Sequence, residues 1–288
     1  MSNTEVDEED GNTMVFCASC GCGNNAEGDD VNKIEAAELL RDEILFKQPE
    51  TNYPGDCPIC LVPLPLDLQK SAKIFTCCCK RVCIGCSHAI AKREIEGRLE
   101  HKCPFCRHPP PKDEEEANIN YMKRIEANDP FAMREMAVKH HIGGDNKSAY
   151  KYLSKAAALG DVVAHCNLSK MYRYGKGVEK DEKMALYHLE EAAIGGHANS
   201  RYDLGHFEGI NKRYDRASKH YIIAAKLGHD KALEALKLLY RAGDVSKEDL
   251  ASALRAHQAA VHATKSPMRE EAEAFRQMWE AASAARQK

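Results

Sequence analysis

Nine cysteines crowd into residues 57–106, and thiolates that close together either oxidise to disulfides or bind metal. Six form Cys-x2-Cys pairs, Cys57/Cys60, Cys83/Cys86 and Cys103/Cys106, and three more form the run Cys77-Cys78-Cys79. A Cys-x2-Cys turn places two sulfurs where both reach one zinc at about 2.3 Å. The compartment decides between the two chemistries. Residues 1–11 are acidic and polar, without the basic start and apolar stretch of a secretory signal. The expectation is a reducing setting, cytoplasmic or nuclear, where clustered cysteines are metal ligands. A block of about 50 residues with few large apolar side chains cannot hold itself together by burial alone. Structural zinc, which contributes on the order of 10 kcal/mol in small fingers, would supply what burial lacks.

The order pair, cluster, pair, pair, with 16 residues in each long gap, resembles the RING-type zinc finger over about residues 57–107. The resemblance implies interleaved ligands and two structural zinc ions. Cys57, Cys60, Cys83 and Cys86 would hold the first ion; Cys103 and Cys106 would supply half of the second site. The other half must come from the run at 77–79, where the family commonly has Cys-x-His and this chain has Lys80 next. Similar proteins that join such a finger to helical repeats carry Cys-Cys-Gly-Lys. That string sets Cys79 on the glycine and selects Cys77 and Cys78. Neighbouring side chains tend to point apart, which keeps Cys77 with Cys79 as an alternative; His88 and His101 read as ordinary exposed histidines, with a ligand role only as the fallback. With every position closed by protein, no place is left for a reactive water, so the zinc is structural and no catalytic residue is implied.

RING fingers mostly act as ubiquitin-ligase modules that hold a charged conjugating enzyme in a reactive pose. Carried onto this chain, that use implies contacts to the conjugating enzyme from Ile59, inside the first knuckle, and Arg107, directly after the last cysteine. An arginine suits the task because its fork donates several hydrogen bonds at once. The plainer readings are that Ile59 packs on its own knuckle and that Arg107 is solvated. The tryptophan that many active fingers carry between their third and fourth pairs is absent; Trp279 is the one tryptophan. Upstream, Cys17-x2-Cys20-x-Cys22 resembles the opening of a MYND-type finger. Three cysteines cannot close a tetrahedral site, so residues 1–30 read as a disordered segment with a vestigial cluster.

The elements that must position these cysteines follow from periodicity and breakers. Residues 31–48 read as a helix with Ile34, Ala37, Ile44 and Leu45 near helical spacing, stopped by Pro49 and Pro54-Gly55. The finger spans 50–110, and residues 111–118, with Pro111 and the acids Asp113–Glu116, read as a linker. From 119 to 245 the chain repeats itself, in units 129–160, 161–196 and 197–228, and a fourth copy decays after its first helix. A period of 32–36 residues means stacked helix pairs. Ala156, Ala157, Ala192, Ala193, Ala224 and Ala225 allow close helix approach. Gly160, Gly196 and Gly228 supply left-handed helix ends, and Asp161 a cap. The unit 161–196, with Ala164, Leu168, Met171-Tyr172, Gly175, Gly177-Val178, Asp181, Ala185, Ala192-Ala193 and Gly196, resembles the Sel1-like family, relatives of tetratricopeptide repeats. Residues 246–288 read as two helices, begun by Ser246 and by Ser266-Pro267, that cover the last repeat.

The fold class expected is mostly α: a small zinc-bound RING module followed by a helical Sel1-like solenoid. A net charge of −3 without basic stripes argues against nucleic acid, and no stretch is apolar enough for a membrane span. His140, His141, His165, His188, His197, His206 and His220 are scattered without ligand spacing and read as loop or helix-surface residues. The two resemblances together imply a RING-type ubiquitin ligase whose repeats recruit a substrate or partner. The alternative is a non-enzymatic adaptor that uses both parts for protein contact.

Overall fold

The computed structural model describes residues 39–286. By compactness the chain divides into residues 1–43 and 44–288. Residues 39–45 are helical (α1). The rest of the expected helix before residue 39, and the cluster Cys17, Cys20 and Cys22, lie outside the described residues.

The second unit opens with the cysteine-rich module. A short helix α2 (Leu68–Ser71) leads into a hairpin of β1 (Ala72–Phe75) and β2 (Lys80–Cys83), paired antiparallel from Ala72 opposite Cys83 to Phe75 opposite Lys80. Helix α3 (Ile84–Glu96) follows at once, with the Cys83 sulfur accepting the Cys86 N–H as its N-cap. The buried core here is Leu64, Phe75 and Val82 together with Cys57, Cys83, Cys86 and Cys103. Sulfur thus makes up much of the interior, as expected for a module too small for an apolar core.

The helical half is a run of eight 13-residue helices. These are α4 (Glu114–Glu126), α5 (Pro130–Ile142), α6 (Asn146–Ala158), α7 (Val162–Tyr174), α8 (Glu182–Ile194), α9 (Ala198–Ile210), α10 (Tyr214–Lys226) and α11 (Asp230–Ala242). Two longer helices, α12 (Lys247–Ala263) and α13 (Pro267–Arg286), close the run. Side-chain caps start most of them: Asp129, Asp145, Asp161 and Asp181 each accept backbone N–H groups of the turn they begin. Asp113 does the same for α4, so the acidic run expected as linker is instead that helix's first turn, where Glu114–Glu116 favour its positive end. Helices α5/α6, α7/α8 and α9/α10 pack as antiparallel pairs, and each pair stacks on the next. The six alanines singled out from the sequence are all buried at these crossings.

Two further features depart from the sequence reading. His197 and His220 are buried rather than on loops or helix surfaces. His197 caps α9 by accepting the Ser200 N–H at 3.1 Å, and His220 packs against Phe46 with ring centroids 4.7 Å apart and the rings tilted. The tail also splits its packing: α12 lies on α10 and α11 and covers the last repeat, whereas α13 packs against α3 of the cysteine-rich module.

The module is therefore pinned to the repeats rather than tethered. Residues 44–56 run along the repeats. Arg201, fully buried, donates to the Leu45 and Ala193 carbonyls. The Tyr53 N–H donates to the Gly196 carbonyl at 3.4 Å. A Cβ on Gly196 would stand 2.7 Å from the Thr51 carbonyl oxygen, and its φ of +85° is in the left-handed region, so both contact and conformation require glycine. At β2, the Arg81 guanidinium lies 5.3 Å from the Phe131 ring of α5, which also carries Arg134 at 4.5 Å.

Candidate metal centres

Two turns of the same build carry four of the sulfurs. In the first, the Leu61 N–H donates to the Cys57 carbonyl at 2.8 Å; in the other, the Arg107 N–H donates to the Cys103 carbonyl at 2.9 Å. The residue after each second cysteine has positive φ, +55° at Leu61 and +59° at Arg107. Each turn thus aims two thiols to one side.

The hairpin and α3 bring the remaining sulfurs to them. Cys83 ends β2, and its N–H donates to the Cys57 sulfur at 3.3 Å, which joins strand to knuckle. Cys86, in the first turn of α3, completes a group of four, Cys57, Cys60, Cys83 and Cys86. The turn between β1 and β2 presents Cys77 and Cys78 to Cys103 and Cys106 as a second group of four. Within each group all sulfurs lie within 4.8 Å of one another. The short approaches are 3.8 Å for Cys60–Cys83, 3.6 Å for Cys78–Cys103 and 3.3 Å for Cys77–Cys106. Four thiolates around zinc at about 2.3 Å stand about 3.8 Å apart, so the donor sets fit a tetrahedral ion.

The geometry separates the alternatives at the cysteine run. Cys79 points away, its sulfur 3.8 Å from the Thr76 carbonyl, and lies beside the Arg124–Asp129 ion pair. Burial and the Asp129 charge push its thiol up to about 12. His88 packs against Phe275 with centroids 4.9 Å apart and the rings tilted, and His101 pairs with Glu94, so neither joins a group.

The electrostatics of the thiols suit a cation. Burial opposes ionisation of Cys57, but backbone N–H groups of Cys83, Cys60 and Ile59 outweigh it and hold the thiol down to about 7. Its partner Cys86 is pushed up, first by burial and then by the sulfurs of Cys83 and Cys60. In the other group burial and then the sulfurs of Cys106 and Cys103 raise Cys77. Burial likewise opposes ionisation of Cys106, but the His108 N–H and the other three sulfurs lower it. Crowded thiols that share protons so unequally are what a divalent cation resolves, by taking the place of the protons. Two four-cysteine groups that could hold metal ions are thus formed.

The two groups differ in surroundings. In the first, Cys57, Cys83 and Cys86 are buried; in the second, Cys106 is exposed. Ile59, 43% exposed, and Arg107, also exposed, stand at the tips of the two similar turns. Arg269 escaped sequence reasoning altogether. It reaches the first knuckle from α13, with 7% exposure, and nothing in its local sequence marks it beyond the apolar stripe Met268, Ala272, Phe275 and Trp279 that follows helical spacing around it.

With this geometry in place, comparison with known proteins identifies the helical half. Residues 130–161, 162–197 and 198–229 match the Sel1 repeat. The chain carries three Sel1 repeats. Each Sel1 unit begins one residue later than the period read from sequence, just after the caps Asp129, Asp161 and His197. Chitin synthase regulatory factor 4 of Schizosaccharomyces pombe is 36% identical over 89 residues, which are 31% of this chain and 14% of that protein's length. Among solved structures, a Sel1 repeat protein from Oxalobacter formigenes aligns with a TM-score of 0.46 at 22% identity, covering 61% of this chain and 52% of that one. A protective antigen of uropathogenic Escherichia coli aligns with a TM-score of 0.43 at 24% identity, covering 59% and 37%. Sel1 repeats mediate protein–protein contact, and no helix of the described residues is long and apolar enough to cross a membrane.

Proposed function

We propose that this chain is a protein-interaction scaffold whose Sel1 repeats bind a partner protein and whose RING-like module, closed around two structural zinc ions, is docked on them as a rigid extension of the binding surface. The ligands would be Cys57, Cys60, Cys83 and Cys86 for one ion and Cys77, Cys78, Cys103 and Cys106 for the other. The zinc supplies cross-linking of distant strands and no bond chemistry.

The observation that carries the scaffold reading is a cleft of about 1200 Å³ formed jointly by residues 48–53, 55–56 and 63–69, the edge of the repeats and the end of α12. Lys170, Asp203, Lys226 and Lys231 stand on its repeat wall. On the module side, Asn52 donates to the Leu227 carbonyl at 3.2 Å and keeps a buried Oδ1 without a hydrogen-bond partner. Burial raises the Asp203 carboxyl, with Lys170 opposing the shift. Polar groups of both signs, partly desolvated in a roomy cleft, suit an extended polypeptide with mixed charge. Affinity capture from cell extract by the whole chain, beside Asp203→Lys and Lys231→Glu, tests this. A specific partner held by the parent chain and lost in both variants supports the scaffold; capture unchanged by both removes the cleft from it.

A second reading, ubiquitin-ligase activity, has one observation in its favour: Ile59 and Arg107 are both open to solvent at the tips of their turns. The 36% identical relative is a regulatory factor by name, which favours the adaptor. Chain formation by the purified protein across a panel of conjugating enzymes, weakened by Ile59→Ala and Arg107→Ala, would establish the ligase. Silence across the panel would leave the scaffold.

A further inference from the structure

We propose that Arg269 is the counter-cation of the first four-cysteine site, so that the C-terminal helix completes and locks a metal centre 209 residues upstream in sequence. The inference rests on the metal reading above and adds a residue outside the finger.

Helix α13 meets both knuckles of that one site. Its Arg269 side chain lies over the first: Nη2 is 3.8 Å from the Cys60 sulfur and donates to the Val62 carbonyl at 2.9 Å, and Nη1 donates to the Pro63 carbonyl at 2.6 Å. Nη1 also donates to the Thr264 carbonyl at 2.6 Å, which fixes the guanidinium to the turn before its own helix. The Val62 carbonyl also accepts the Cys57 N–H at 3.1 Å, so the arginine grips the hydrogen bond that shapes the knuckle. The backbone of the same residue meets the second knuckle. Gly85 sits between Cys83 and Cys86, and a Cβ there would stand 2.8 Å from the Arg269 nitrogen and from the Met268 carbonyl carbon. The glycine is the gap into which α13 begins.

Charge makes the arrangement specific. An arginine with 7% exposure is costly to bury unless an anion faces its guanidinium. Arg269 has no carboxylate partner among the described residues; its acceptors are three carbonyls and a cysteine sulfur. Zinc with four thiolates carries two net negative charges, and those are the countercharge this arginine lacks. The second site has no arginine on its sulfurs among the described residues, and its Cys106 is exposed. Further contacts hold α13 in place: Lys92 pairs with Glu271 at 3.1 Å, and His88 packs against Phe275. Removal of outer partners of metal ligands typically costs about 10- to 100-fold in metal affinity.

The test follows zinc release from the full chain to a chromogenic chelator, for the parent, Arg269→Met, Arg269→Lys and, to assign the phases, Cys106→Ser. The parent should release two zincs in a fast and a slow phase, with the fast phase absent from Cys106→Ser. Arg269→Met should accelerate the slow phase about 10- to 100-fold and leave the fast one unchanged, with Arg269→Lys between. Hydrogen exchange on the parent chain gives a readout that needs no variant to fold: protection of residues 267–276 should be lost in step with the slow phase, since coupling is reciprocal. Two zincs whose slow release ignores Arg269→Met, or an α13 that stays protected after both ions leave, would overturn the proposal while leaving the metal reading intact. A folded parent chain without zinc would overturn the metal reading itself.

Discussion

The two halves of this unit are stable for opposite reasons. In the Sel1 half, alanines at the helix crossings let backbones approach until leucines such as Leu153, Leu168 and Leu204 are nearly sealed from water. Burial there is repeated, local and mainly apolar, with His197, Arg201 and His220 among the exceptions. In the module, Leu64, Phe75 and Val82 are joined inside by four cysteines. That interior is polar in waiting, since its sulfurs must lose protons and gain a cation before it is favourable to bury. A repeat can lose one contact and keep its neighbours. The module has two sites, each linking distant stretches of chain, and losing both opens it.

Metal removal is the change that should separate the halves furthest. With a strong chelator, residues 57–107 should lose protection from hydrogen exchange, a loss on the order of 10 kcal/mol, while residues 130–229 keep theirs. The converse is Leu168→Ala, at a side chain 1% exposed, which should cost the repeats about 2–5 kcal/mol in denaturant unfolding and leave zinc content unchanged. Acid provides a third separation. Burial holds His188 and His197 down to about 4 and His220 to about 3, below the ordinary imidazole value of about 6.5. Between those values the unfolded repeats bind more protons than the folded ones. Their stability, complete above about pH 6.5, should therefore fall as the pH drops toward 3, in zinc-free protein as well, by thermal melts across that range.

Gly196→Ala acts on the seam between the halves. It should cost about 1–3 kcal/mol and release residues 44–56 to hydrogen exchange, because the new methyl group meets the Thr51 carbonyl. The smallest effect expected is from Asp181→Ala, which removes the cap of α8, where one carboxylate oxygen accepts the Lys183 and Met184 N–H groups at 2.9 and 3.0 Å. About 1 kcal/mol of repeat stability should go, with zinc release unaffected.

What was legible in the sequence was local. Gly160, Gly196 and Gly228 mark helix ends because only a residue tolerant of positive φ fits there, and all three have it. The sulfur groups were readable because Cys-x2-Cys spacing is itself a geometry. The long-range seams were not readable. The stripe in α13 is amphipathic, but periodicity does not say whether it meets the last repeat or α3, nor that Ala272 alone of its four residues is buried there. His220 reads as a surface residue and Arg269 draws no notice in the sequence because burial of a polar side chain depends on partners far along the chain, here Phe46 for the histidine and Cys60, Val62 and Pro63 for the arginine. The run at 77–79 stood between: adjacent cysteines are ambiguous by spacing, and the turn that joins β1 to β2 sends Cys77 and Cys78 to one group and Cys79 to the Arg124–Asp129 pair.

Native mass spectrometry of the full chain, purified under reducing conditions without added metal, tests the central claim most directly. The account predicts a folded species with two zinc ions and no disulfide, reduced to one by Cys106→Ser. A folded chain that carries no zinc, or whose cysteines at 57–106 are paired as disulfides, would contradict it.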